Sequence, residues 1–147
     1  MTAHNATCVA VGGRGVLIEG PSGSGKSALA LALIDRGAQL VGDDGVVLIA
    51  DAGKLLAQPH PHTRGLLEIR NLGLAQFVPC KQVEVALLVT FDSAAPRFIE
   101  EASEAVREGT KIPHVAIWPE PAPPALKVEQ ALRLYGLAAT ATPGDNG

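Results

Sequence analysis

Gly20-Pro21-Ser22-Gly23-Ser24-Gly25-Lys26-Ser27 matches G-x-x-x-x-G-K-[ST] at every fixed position. An apolar run, Val16-Leu17-Ile18, leads into it, and an unbroken series of helix formers from Ser27 to Ile34 leads out. Strand, glycine-rich turn and helix in that order read as a phosphate-binding loop. Its glycines allow the backbone to curl so that N–H groups point at phosphate oxygens, and the helix N-terminus adds partial positive charge. Lys26 would neutralise the outer phosphates, and Ser27 is the natural hydroxyl ligand for Mg2+.

Composition supports an α/β domain. The chain has 147 residues, 47% hydrophobic but only 3% aromatic, so its core must be built from Val, Leu, Ile and Ala. That length suits one domain, expected over residues 1–137, with 138–147 as a frayed tail. A net charge of -3 and the absence of any Lys/Arg cluster argue against nucleic acid. No stretch approaches the length of a membrane span and no basic leader precedes an apolar run, so the expected location is the cytoplasm. Cys8 and Cys80 have no metal-type or redox spacing and read as reduced core thiols.

Working outward, residues 6–11 and 15–18 read as strands joined at Gly12-Gly13, a hairpin that enters the loop. The helix from Ser27 to about Arg36 ends at Gly37, and Gln39-Leu40-Val41 then returns the chain as a short strand. Residues 46–50 and 54–57 form a second expected hairpin, followed by a loop at Pro59-His60-Pro61-His62. Residues 66–74 alternate, which places Glu68 and Arg70 on one face if the segment is extended. Val83 to Thr90 is expected as a central strand and residues 114–117 as the last one. Phe98 to Arg107 is expected as a short polar helix, and Leu126 to Leu137 as a helix burying Leu126, Ala131, Leu134 and Leu137.

A phosphate loop names a ligand and not a reaction, so carboxylates that join it carry the chemistry. Asp43-Asp44 begins 17 residues after Lys26, after one helix and one strand, the path that returns a chain to the ligand-binding edge of a sheet. A carboxylate there can accept a proton from an attacking hydroxyl or hold Mg2+ through water. Asp-Asp-Gly is also ordinary turn chemistry, and an exposed Glu68/Arg70 pair is also an ordinary solvated face. His60-x-His62 lacks a supporting carboxylate at helical spacing, and His4 lies near a terminus.

Three segments taken together, 15–27, Leu40-Val41-Gly42-Asp43-Asp44 and Leu67-Glu68-Ile69-Arg70-Asn71-Leu72-Gly73, resemble the catalytic domain of HPr kinase/phosphorylase, in particular the short alphaproteobacterial form. The likeness is close over residues 4–90 and weaker after that. It implies a P-loop domain like that of phosphoenolpyruvate carboxykinase, with a mixed central sheet and flanking helices. It also implies a kinase that uses ATP and Mg2+ to phosphorylate a serine of the phosphocarrier HPr, in many members reversibly by phosphorolysis, and often assembled as a hexamer. Carried over by motif, Gly20, Pro21, Ser22, Gly23, Ser24, Gly25, Lys26 and Ser27 would hold ATP, and Ser27 and Glu68 the metal. Asp44 would accept the proton with Asp43 beside it, and Arg70 would stabilise phosphoryl charge. His4 matches the family's active-site histidine if one residue is inserted before Gly15; without a gap, Asn5 falls there. Asn71 stands where the family has Gly, and the N-terminal regulatory domain and a later basic loop are missing. The alternatives are a small-molecule kinase, which would need an enclosed acceptor pocket, and a nucleotide-sensing module without catalysis.

Overall fold

The computed structural model describes residues 2–139; the expected tail beyond Ala139 lies outside the described residues. In chain order the elements are β1 (Thr2–His4), β2 (Thr7–Val11), β3 (Arg14–Glu19), α1 (Lys26–Asp35), β4 (Gln39–Gly42), β5 (Val46–Asp51) and β6 (Lys54–Pro59). They continue with β7 (Leu66–Ile69), β8 (Gly73–Gln76), β9 (Val83–Phe91), β10 (Ser103–Arg107), β11 (Thr110–Ile117) and α2 (Ala125–Tyr135).

The centre is β9, whose long Val/Leu run is buried on both faces. One of its edges pairs in parallel with β3, from Gly15↔Val85 to Glu19↔Thr90. The other edge is shared. Antiparallel β6 takes Val83 and Glu84, and parallel β11 takes Leu88 to Phe91. The sheet therefore forks at β9 and curls, with order β1-β5-β6-β9-β3-β2-β4 along one path and β11-β10 along the branch. It is mixed, as expected. The hairpins β2–β3 and β5–β6 close through Gly12-Gly13 and Ala52-Gly53, where both residues have positive φ, the conformation that suits the twist of paired strands.

Two apolar clusters divide the core. Leu29, Ala30 and Leu33 of α1 and Ala125, Val128, Ala131 and Leu132 of α2 pack on one sheet face against Val16, Ile18, Leu87 and Val89. Both helices thus lie on the same face. The opposite face is closed by the curl itself: Leu17 and Leu88 meet Val46, Leu48 and Leu55, and Ile112 of β11.

Three expectations are corrected. Phe98 to Arg107 is not a helix: residues 103–107 form β10, paired from Ser103↔His114 to Arg107↔Thr110. Its Glu and Ala content favours a helix locally, but Glu108 and Gly109, at φ 49° and 72°, make a tight hairpin turn, and pairing with β11 overrides propensity. Helix α2 buries Ala125, Val128, Ala131 and Leu132, whereas Leu126 and Leu134 face outward and Leu137 lies beyond the helix. Residues 66–74 are not one extended strand. They fold into the β7–β8 hairpin with Arg70 in its turn, and Asn71 adopts φ 71°, a left-handed geometry that Gly or Asn accommodates best. No described helix is long and apolar enough to cross a membrane.

Candidate functional site

Strand β3 ends at Glu19, and the chain then turns through Gly20–Ser27 into α1. Gly23 and Gly25 have φ of 81° and 106°, so the curl uses backbone conformations that residues with a Cβ rarely adopt. A Cβ on Gly23 would come within 3.4 Å of the Arg70 guanidinium, which shows how closely the β7–β8 turn covers the loop. Gly25 caps the start of α1 without a side-chain partner, leaving the first N–H groups of the helix directed into the cleft. The Ser24 hydroxyl is buried and has no hydrogen-bond partner.

Lys26 is only 8% exposed and donates from Nζ to the carbonyl oxygens of Gly20 at 2.7 Å and Pro21 at 3.4 Å. Its third neighbour is Asp44 Oδ1, 3.8 Å away. The ammonium is thus held inside its own loop and faces a carboxylate across the cleft.

The two adjacent aspartates part company. Asp43, at the end of β4, points inward and is 6% exposed. Its Oδ1 accepts hydrogen bonds from Thr7 Oγ1 at 3.0 Å and Ser27 Oγ at 2.7 Å, and its Oδ2 accepts the Glu68 N–H at 3.2 Å. One carboxylate therefore ties β2, α1 and β7 together. Thr7 Oγ1 also accepts the Asp44 N–H at 3.4 Å, which fixes the turn. Asp44 sits at φ 52° with its side chain 69% exposed, so the turn aims it into the opening.

Lys26, Ser27, Asp44, Glu68 and Arg70 line one cleft of about 460 Å³, walled on one side by Ala28, Leu31 and Ile69. Of the other sequence-predicted residues, Ser22, Gly23 and Gly25 also line the cleft, Gly20, Pro21 and Ser24 belong to the loop outside its lining, and two lie apart from the loop and the lining alike. Asp43 lies beneath the cleft rather than in its lining. His4 is engaged elsewhere, its Nε2 2.8 Å from Glu108 Oε1 on the β10–β11 turn. Among the described residues no three His, Cys, Asp or Glu side chains cluster as a metal cage. A hydroxyl and a carboxylate beside a glycine-rich loop are nevertheless oxygen donors of the kind that would suit Mg2+.

Sequence reasoning missed Thr7, Glu19, Thr90, Arg107 and His114. Arg107 donates to Glu19 from Nε at 2.9 Å and from the second guanidinium nitrogen at 2.6 Å. These hydrogen bonds hold its guanidinium pKa above the ordinary value, with burial opposing them. His114 Nε2 lies 2.7 Å from Thr90 Oγ1, and burial, then the Arg107 charge, push its pKa down. Only the Glu108-Gly109 turn offered a sequence signal for this rim.

The family model for the HPr Serine kinase C-terminal domain matches residues 1–80, more than half of the chain. The chain belongs to that family. An HPr kinase/phosphorylase of Streptococcus thermophilus is 34% identical over 129 residues, covering 79% of this chain and 42% of the relative. One from Clostridium tetani is 47% identical over 73 residues, 50% of this chain and 24% of the relative. The chain thus spans less than half the length of these relatives. Among solved structures, the Hpr(Ser) kinase/phosphatase from Coxiella burnetii superposes with a TM-score of 0.80 at 25% identity, over 90% of this chain and 95% of the other.

Proposed function

We propose that this domain is a cytoplasmic serine kinase that transfers the terminal phosphoryl group of ATP, with Mg2+, to the phosphocarrier HPr. The observation that carries the reading is the exposed Asp44 carboxylate 3.8 Å from Lys26 Nζ at the mouth of an open cleft. A small-molecule kinase would enclose its acceptor, whereas this opening suits a serine presented on another protein's surface. The reading also places the fold among P-loop domains of the phosphoenolpyruvate carboxykinase kind.

In this mechanism the amides of Gly20–Ser27 hold the phosphates and Lys26 leaves its two carbonyl partners to meet them. The Ser27 hydroxyl, oriented by Asp43, and the Glu68 carboxylate are the groups that would hold Mg2+, which would supply positive charge beside the phosphates. Asp44 takes the proton of the acceptor serine as the serine oxygen attacks the terminal phosphorus and the bond to the leaving ADP breaks. Arg70, close over Gly23, offsets charge on the transferring group. Phosphorolysis of phosphoserine-HPr would run through the same cleft with inorganic phosphate as attacker. Assembly as a hexamer belongs to the same reading.

Incubating the protein with labelled ATP, Mg2+ and the phosphocarrier from the same cell, then mapping the label, tests this. Phosphoserine on HPr supports it. ATP binding without transfer to HPr overturns it in favour of a nucleotide sensor or a kinase with another acceptor.

A further inference from the structure

Glu19 is an awkward neighbour for a polyphosphate. It is the last residue of β3, covalently next to Gly20, whose carbonyl holds Lys26. A carboxylate one residue before Gly20 lies within about 10 Å of the first loop amides, since each residue step spans at most about 3.6 Å. At an effective dielectric near 20, one unpaired charge at that range changes affinity for a multiply charged anion by roughly tenfold or more.

The opposing charge comes from far away in sequence. Arg107, at the end of β10, grips both Glu19 oxygens in a two-pronged geometry, and the two side chains are 28% and 23% exposed. Among the described residues Arg107 is the cation ion-paired with Glu19; Arg70, the other guanidinium near the loop, stands over Gly23. Glu108 is turned to His4, and His114 is kept toward its neutral form by burial and by Arg107 itself. Lys26 faces its own loop and Asp44. The β10–β11 hairpin that delivers Arg107 lies beyond the 1–80 stretch matched by the family model.

We infer that Arg107 is a charge-compensating residue for nucleotide binding: by cancelling Glu19 at the entrance of the Gly20–Ser27 loop, it lets that loop accept a triphosphate. The inference rests on the nucleotide-binding reading above. Arg107 acts through Glu19 and does not itself touch the phosphates. Two roles are separable here, because a strut needs the ion pair intact whereas charge compensation needs only that Glu19 not stand alone.

The test is calorimetric binding of Mg-ATP, ADP and AMP to the full chain and to Arg107→Met, Glu19→Gln and the double variant, with melting curves for each. Arg107→Met should bind ATP about tenfold more weakly, ADP less affected and AMP least, a grading that follows phosphate charge. The double variant should recover to within about twofold of wild type, and Glu19→Gln alone should bind ATP at least as tightly although the ion pair is broken. Equal loss in both single variants, or no recovery in the double, overturns the inference and makes the pair a structural strut. Should Arg107→Met fail to fold, Glu19→Gln decides alone: weaker ATP binding contradicts charge compensation. Wild-type protein that binds no nucleotide removes the reading on which the inference stands, an outcome distinct from wild-type binding without rescue.

Discussion

Ser27 Oγ donates a 2.7 Å hydrogen bond to Asp43 Oδ1, and Asp43 in turn is buried beneath the cleft rather than open to it. Adjacent aspartates on one turn therefore have different surroundings and, in the mechanism proposed, different tasks. In that mechanism Asp43 would orient the hydroxyl that meets the metal, and Asp44 would face the acceptor.

Asp43→Ala should then damage the fold as well as the site. It leaves the Thr7 hydroxyl and the Glu68 N–H without their acceptor, at a cost of about 3 kcal/mol. Chemical denaturation should show this loss. Asp44→Ala, at an exposed side chain, should change stability by less than about 0.5 kcal/mol. Equal stability of the two variants would mean that the Asp43 hydrogen bonds contribute nothing.

Glu68→Gln keeps the shape of a side chain that lines the cleft and removes its charge. Half-saturation by Mg2+ in the presence of ATP should rise roughly tenfold, the scale on which ligand-shell changes weaken metal sites. An unchanged Mg2+ titration would leave Glu68 without a metal role.

His114 sets a pH dependence whose sign follows from its surroundings. Burial and Arg107 depress its folded pKa below the unfolded value of about 6.5, so the unfolded chain takes up a proton that the folded chain resists. The stability concerned is present in full above about pH 6.5 and is lost as pH falls from there through the depressed folded value. Denaturation midpoints should decline as pH is lowered below 6.5, and His114→Gln should flatten that decline. An identical slope in the variant would contradict the assignment.

The two thiols should separate cleanly. Cys8 is fully buried, and burial, reinforced by Cys80, pushes its pKa far above the usual thiol range. Cys80 is only half-buried. A thiol reagent should modify Cys80 in the native protein and reach Cys8 only on unfolding; native labelling of Cys8 would show that β2 opens more readily than its packing implies.

Local signals made part of this molecule legible. Gly20–Ser27 carries its geometry in its glycines, and the hairpins at Gly12-Gly13 and Ala52-Gly53 announce themselves by turn chemistry and alternation. Asp43-Asp44 was readable as a strand-end pair, but their division of labour was not, because it depends on Thr7, a polar residue inside an apolar strand that gains meaning only from its partner. The rim of Glu19, Arg107 and His114 was illegible for a related reason. Arg107 sits in a segment whose composition favours a helix, and its contact with Glu19 spans 88 residues through a fork in the sheet. In helix α2 Ala131 was read rightly as buried, but Leu126 and Leu134 drew the face away from Ala125, Val128 and Leu132, which pack on the sheet.

The central claim is that Asp44 accepts the serine proton in a phosphoryl transfer that the Gly20–Ser27 loop supports, and single-turnover transfer from saturating Mg-ATP to HPr by wild type and Asp44→Asn tests it directly. ATP affinity, measured on the same preparations, should stay near wild type, because in this account the loop backbone and Lys26 hold the nucleotide. Transfer should fall by about 100-fold or more, the scale for losing a positioned general base. Transfer by Asp44→Asn at the wild-type rate would contradict the claim.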